Sequence, residues 1–406
     1  MNIDNRILTA EKDLKDVFAR IENNALENQN KVLEAFRNNR VALRHFAPTT
    51  GYGYDDIGRD TLCRLFADVF ATENAIVSPL IANGTHAIST VLFGLLRPGD
   101  TMYSVTGNPY DTLMDVVEGE GIGSLRDFGV KFSKTEVAQN GKIDLQAVSN
   151  TVKDLNPALI FIQRSRGYSW RSALSVDEIR DAVNVVRRYS NAPIVVDNCY
   201  GEFTDVIEPT QVGADVIVGS LIKNPGGGLA PTGGYIAGKK NLINLIAGRL
   251  TAPGIGMEVG SYAYGYQYFY QGFFIAPHVV EQALKASALF SRVLGELGYE
   301  TLPAFDEKQN DIITSINFKT KEELISFCQT IQTYSPIDSH VLPEPWDMPG
   351  YQHQVIMAAG AFVQGASIEM SADAPIKEPY IAYFQGSLTY EHAKIALNNV
   401  LANLPK

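Results

Sequence analysis

The stretch Gly219-Ser220-Leu221-Ile222-Lys223-Asn224-Pro225-Gly226-Gly227-Gly228 decides how this chain is read. It follows Val216-Ile217-Val218, an apolar run that reads as a short buried strand. Asn-Pro and three glycines then end that strand abruptly. A lysine therefore stands where a strand meets a loop, with a serine three residues before it. An ammonium held at the end of a core strand is desolvated and loses its charge more easily, as an amine must to form a Schiff base with an aldehyde. Taken alone, Lys223 is better explained as a lysine that reaches water from a strand end. Two other stretches turn the argument.

The first is Ile194-Val195-Val196-Asp197-Asn198-Cys199-Tyr200, preceded by Pro193 and by a helical pattern from Val176 to Tyr189. Asp197 falls at the carboxyl end of a buried strand, where a carboxylate is costly without a cationic partner. A protonated pyridine nitrogen is one such partner; a plain turn aspartate is the alternative. The second is Asn83-Gly84-Thr85-His86-Ala87, followed by Ile88, Val91, Leu92, Leu95 and Leu96 at helical spacing and stopped by Arg97-Pro98-Gly99-Asp100. A helix that opens on Gly-Thr presents free N–H groups and the positive end of its dipole, which suits a phosphate.

Phosphate cradle, carboxylate after a strand and lysine after the next strand together resemble a fold-type-I pyridoxal-phosphate enzyme. More narrowly, the chain resembles the cystathionine β-lyase/methionine γ-lyase family, in its branch of aluminium-resistance or methionine-γ-lyase-like proteins. GYGYDDIGRDTL (51–62), NGTHAI (83–88), IQRSRGYSWR (162–171), VVDNCYGEF (195–203), GSLIKNPGGGLAPTGGYIAG (219–238), QGFFIAPHVV (271–280) and YFQGSLTYEH (383–392) carry the match, which spans about residues 45 to 395. It implies pyridoxal 5'-phosphate as cofactor and a carbon–sulfur lyase that acts on sulfur-containing amino acids. Two other readings stay open. One is a different fold-type-I reaction, such as aldol cleavage, desulfuration or transamination. The other is a cofactor-binding stress-tolerance protein without turnover.

Composition bounds the rest. The 406 residues suffice for two or three domains. A net charge of −11 and a pI near 5.1 argue against nucleic acid and anionic membranes as partners. Cys63, Cys199 and Cys328 are too scattered for a disulfide framework or a zinc site. The six histidines show no metal spacing, so no metal is expected. The charged start lacks a signal-peptide core, and no apolar run is long enough to span a bilayer, so a soluble cytoplasmic protein is expected.

Three units follow: a helical arm and loop over 1–60, a large cofactor-binding domain over 61–275, and a small α+β domain over 276–406. In the large unit, strands are expected at Thr101–Val105, Ala158–Ile162, Ile194–Val196, Val216–Val218 and Tyr235–Ala237, alternating with helices. That pattern argues an α/β fold with a mostly parallel sheet, seven-stranded in the resembled class, and sites at the strand carboxyl ends. In the small unit, a helix is expected over Pro277–Leu297, strands over Asp311–Phe318 and Ala366–Met370, and a last helix over Tyr390–Leu401.

The resemblance assigns further roles. Lys223 is cofactor anchor and base, and Asp197 partners the ring nitrogen. Tyr110 stacks on the ring, with a catalytic share as proton donor. Gln163 is placed to bond the ring hydroxyl, while Asn83, Gly84, Thr85 and Ser220 hold the phosphate. From a neighbouring subunit, Tyr52 or Tyr54 and Arg59 reach the same phosphate, which implies a homo-oligomer: a dimer with shared sites, assembled into a tetramer. For the substrate carboxylate the family uses an arginine of the small domain, and this sequence shows no clear equivalent. Lys377 is the nearest candidate there. Arg164, Arg166 and Arg171 form a dense cationic cluster after the 158–162 strand, of which Arg166 and Arg171 are the other carboxylate candidates. The stretch 251–275, with five tyrosines and three phenylalanines, reads as a site mouth, a subunit interface or plain packing.

Overall fold

The structure, a computed structural model, describes residues 2–348 and 351–404. Two sheets organise it. The large one contains β1 (Asn74–Ser78), β2 (Thr101–Ser104), β3 (Lys131–Lys134), β4 (Leu159–Gln163), β5 (Ile194–Asp197), β6 (Val216–Ser220) and β7 (Gly234–Gly238) in the order β1-β7-β6-β5-β4-β2-β3. From β3 to β6 all neighbours are parallel; β7 runs antiparallel between β6 and β1. Every residue of β4, β5, β6 and β7 is buried. Their near-continuous apolar runs are what a parallel sheet covered on both faces demands.

The helices are α1 (Asn5–Asp13), α2 (Lys15–Asn38), α3 (Ile57–Val69), α4 (Gly84–Leu95), α5 (Asp111–Glu118), α6 (Leu145–Leu155), α7 (Val176–Arg187), α8 (Lys240–Leu250), α9 (Gln267–Glu296), α10 (Lys321–Thr333) and α11 (Tyr390–Asn403). Their starts follow from local chemistry. At α4 the Asn83 carboxamide oxygen accepts the His86 N–H at 2.9 Å. At α7, Ser175 and Glu178 form a reciprocal capping box. None of the described helices is long and apolar enough to cross a membrane.

The second sheet, antiparallel, has the order β10-β11-β12-β9-β8, with β8 (Glu300–Leu302), β9 (Ile313–Phe318), β10 (Val355–Ala358), β11 (Ser371–Pro375) and β12 (Tyr380–Gln385). The strand expected over 366–370 lies instead at 371–375. Ser-Ala-Asp-Ala-Pro has low strand propensity, and pairing with β10 and β12 overrides it. The helix expected from Pro277 begins at Gln267 and accommodates Pro277 in its interior. Thus α9 starts beside the large sheet and ends in the small one. Near its start, Gly272 meets the glycine turn after Lys223: a Cβ on Gly227 (φ +55°) would stand 2.4 Å from the Gly272 carbonyl oxygen. Further along, the Ser287 hydroxyl hydrogen-bonds Thr314 of β9.

Candidate active site

The parallel strands deliver their chemistry at one edge. Gln163 closes β4 and Asp197 closes β5, and the register sets the two opposite each other. Ser220 closes β6. Tyr110 follows β2 and caps the N-terminus of α5; Gly84 opens α4. With Asn83, Thr85 and Lys223, these residues line one cavity of about 760 Å³ whose opposite wall comes from the small sheet.

Within it, Asp197 is fully buried, and the one hydrogen bond to its carboxylate among the described residues is the Cys199 N–H to Oδ1 at 3.1 Å. Burial pushes its carboxyl above the usual range, while Lys223 and the Cys199 N–H oppose that rise. Lys223 Nζ lies 3.9 Å from the centroid of the Tyr200 ring. Tyr200 sits at φ +71°, an uncommon conformation for an aromatic residue. The adjacent Asn224 locks it there, donating from Nδ2 to the carbonyls of Tyr200 and Glu202, each at 3.0 Å. The loops after β5 and β6 are thereby tied together under the lysine. Desolvation, the largest influence on Lys223, favours the neutral amine, as the sequence reading expects. It is outweighed by Cys199, Tyr200 and Asp197, which hold the ammonium above its ordinary range.

Tyr110 has its hydroxyl 2.9 Å from Thr85 Oγ1 and donates its backbone N–H to Gln163 Oε1 at 2.9 Å. Burial and the nearby Asp197 raise its phenol well above the ordinary range, so it stays a proton donor. Gln163 is partly committed: besides accepting from Tyr110, it donates Nε2 to Ser165 O at 3.2 Å.

The cationic cluster separates into different roles. Arg164 is wholly buried and bonds Leu174 O, Asn198 Oδ1, Gly201 O and Thr204 Oγ1. Arg166 borders the cavity, but its guanidinium pairs with Asp311 (Nη2 to Oδ1 at 2.9 Å) and donates to Leu302 O and Ser315 Oγ. Arg171 does not line the cavity: it donates to Ser172, Gln163 and Ser165 carbonyls, and burial and the Arg166 charge pull it down to about 10. Carboxylate binding by Arg171 is therefore corrected to support of the strand end behind the site. Lys377 is exposed at the rim. Neither Tyr54 nor Arg59 borders this chain's own cavity. Tyr54 stacks on Tyr52 with both exposed, and Arg59 bonds Asp60, Gly53 O and Gly260 O.

Residue types alone did not mark Cys199, Tyr200, Glu202, Asp373, Tyr168 or Tyr351. The first three lie within VVDNCYGEF, so their placement after β5 was their sole signal. Glu202 is buried beneath the lysine loop. Its Oε1 accepts the Tyr235 hydroxyl at 2.8 Å, its Oε2 has no partner among the described residues, and burial pushes it up to about 8.

These features fit pyridoxal phosphate. Asp197 offers a buried carboxylate to a protonated ring nitrogen. A Cβ on Gly84 would come within 3.3 Å of Cys199 Sγ and 3.6 Å of Ser220 Cβ, filling the cradle at the start of α4. Such a sheet with such strand ends defines a fold-type-I pyridoxal-phosphate-dependent protein. The pyridoxal-5'-phosphate dependent protein YhfS of Escherichia coli shares the fold, with a TM-score of 0.63 at 16% identity, covering 93% of this chain and 96% of that one. More particularly, the chain belongs to the methionine gamma-lyase family, which it matches over residues 3–405. The uncharacterized protein YnbB of Bacillus subtilis (strain 168) is 49% identical over 403 residues, 98% of this chain and 95% of that protein. A carbon-sulfur lyase involved in aluminum resistance from Clostridium novyi NT has a TM-score of 0.94 at 50% identity, covering 99% of this chain and 97% of that one.

Proposed function

We propose that this protein is a pyridoxal-phosphate-dependent carbon–sulfur lyase that cleaves a sulfur-containing amino acid, of the cystathionine, methionine, cysteine or homocysteine type, by α,β- or α,γ-elimination. The observation that carries the reading is the convergence of Lys223, Asp197, Tyr110 and Gly84 on one cavity. Lys223 would anchor the cofactor, with Asp197 at the ring nitrogen and Tyr110 on the ring face. Asn83, Gly84, Thr85 and Ser220 would surround the phosphate, with Gln163 beside the ring. When bound, the cofactor supplies an electron sink for charge that develops at the substrate Cα.

The chain's own residues move the protons. Lys223 Nζ, once deprotonated, takes the α-proton, since an amine aimed from a fixed loop is a competent general base. Tyr110, held protonated by burial, is placed to give a proton to the departing sulfur. Lys377 is the cation best placed at the rim for a substrate carboxylate, because Arg166 is already paired with Asp311. Tyr54 and Arg59 fit the proposed shared site of a homo-oligomer: Tyr54 is exposed beside Tyr52 on the loop before α3, Arg59 stands in the first turn of α3, and neither borders this chain's own cavity.

Purified protein should release keto acid, ammonia and thiol from at least one of cystathionine, methionine, cysteine and homocysteine, and Lys223→Ala should release none. Borohydride reduction should leave the cofactor on the peptide that contains Lys223. Cofactor on Lys239 or Lys240, or no keto acid from any of the four with cofactor bound, would overturn the reading.

A further inference from the structure

The small-sheet wall of the cavity holds a carboxylate that the proton transfers above do not use. Asp373 lies in the middle of β11, and Asp373, Pro375 and Lys377 follow one another toward the cavity at the strand period of two. On β12, Tyr383 is the register partner of Asp373, and Tyr383 and Gln385 line the same space. The sole hydrogen bond to the Asp373 carboxylate among the described residues comes from Gln385 Nε2, long at 3.3 Å. No lysine, arginine or histidine among the described residues lies within 4 Å of it. Lys377, two residues past the end of β11, is exposed at the rim and makes no ion pair with Asp373; Lys223 lies over Tyr200.

Around Asp373 stand aromatic walls. The Tyr168 ring is 5.1 Å from that of Tyr383 and 5.8 Å from that of Tyr351, centroid to centroid. Tyr168 and Tyr200 pack on the same small cluster with Ile313, Ile381 and Tyr383, so the aromatic lining runs from the lysine to Asp373. The Asp373 carboxylate is half-buried with no cation within 4 Å among the described residues, and aromatic faces attract cations. Both facts favour a positive group carried by a ligand. Burial also pushes the Asp373 carboxyl up to about 6, the response of an acid that lacks a counter-ion; it remains ionised at neutral pH.

We propose that Asp373, with Tyr168, Tyr351 and Tyr383, forms a compartment for a protonated amine on the substrate side chain, beyond the bond that breaks, so that the site selects diamino acids over amino acids with an uncharged thioether. This deepens, and rests on, the lyase reading. A methyl or alkyl thioether would leave an ionised carboxylate facing apolar atoms, which is unfavourable. An ammonium there would donate a charge-assisted hydrogen bond to the Asp373 carboxylate, with the rings as walls.

The test uses two pairs of compounds that differ by one ammonium. S-(2-aminoethyl)cysteine and S-propylcysteine are compared by pyruvate release. Lysine and norleucine, which have no carbon–sulfur bond, are compared by calorimetric binding to the holoprotein. Wild type should favour the charged member of each pair by roughly ten- to a hundredfold, the size of one charged hydrogen bond. Asp373→Asn should remove most of that preference while changing S-propylcysteine turnover little, and Asp373→Glu should retain part of it. No preference in wild type, or equal losses on both members in Asp373→Asn, overturns the compartment. If neither cysteine derivative releases pyruvate and none of cystathionine, methionine, cysteine and homocysteine yields a keto acid, but lysine still binds more tightly than norleucine through Asp373, the lyase reading fails and the compartment stands.

Discussion

The two walls of the cavity are built differently. The large-sheet wall is dense with internal bonds: Asn224 fixes two carbonyls, Gln163 holds the Tyr110 backbone, and Thr85 meets the Tyr110 hydroxyl. The small-sheet wall is sparse. Asp373 has one long bond, and Lys377 makes no ion pair among the described residues. A wall whose polar groups satisfy one another can hold a fixed prosthetic group in one pose. A wall with unspent polar capacity waits for a ligand, and there the choice of substrate is made. Reactivity and selectivity are thus assigned to opposite sheets.

The largest effect expected from this contrast is at Asp197. Asp197→Ala should still take up cofactor, weakly, but turnover should fall by roughly 10²–10⁴-fold, the scale of a positioned catalytic group. Steady-state kinetics of the reconstituted variant measure it. Near-normal kcat would make Asp197 a turn residue and dissolve the distinction between the walls.

A second, intermediate effect tests whether the dense wall is completed by another subunit. Arg59→Ala should weaken cofactor retention by about tenfold, the worth of one charge-assisted bond to a phosphate. Mixing Arg59→Ala with Lys223→Ala subunits should then restore activity, because one site of a mixed dimer carries neither defect. A monomer by light scattering, or exchange without complementation, rules the shared site out.

The smallest effect concerns stability. Glu202, below the dense wall, has a folded-state pKa near 8 against about 4.3 in an unfolded chain. The folded protein therefore holds the extra proton, and this group's contribution declines as pH rises from about 4.5 through 8, then levels off. Scanning calorimetry at pH 6 and pH 9 should show wild type losing a few °C more than Glu202→Gln. Parallel melting curves would mean that Glu202 is not the buried acid its surroundings imply.

The same contrast explains what the sequence revealed. The dense wall was legible because a buried parallel strand is a run of apolar residues with an interruption at its end. Lys223 and Asp197 were such interruptions, and the expected strands at 101–105, 158–162, 194–196, 216–218 and 235–237 all lie on observed ones. Both edge strands were missed: β3, Lys-Phe-Ser-Lys, carries no such run, and β1, Asn-Ala-Ile-Val-Ser, has a short one that ends on a plain serine rather than on a reactive or charged residue. The sparse wall was nearly silent. Asp373 sits in Ser-Ala-Asp-Ala-Pro, which has no strand signature, and its tyrosine company is assembled from positions 168, 351 and 383 by tertiary packing alone. The arginine cluster misled in the other direction. Proximity in sequence did not show that Arg166 would be taken by Asp311 or that Arg171 would lie behind the wall.

Helix α9 carries a consequence for anyone who would exchange one wall for another. Its Gly272 is wedged against the turn after Lys223, and its Ser287 is bonded to β9 beneath the opposite wall. A chimera joined at residue 276, the boundary expected between the large and small units, would cut a single continuous rod and misalign both seats. The workable splice lies past Glu296, so that the donor contributes its strands and the recipient keeps the whole rod, together with the faces on which those strands must land.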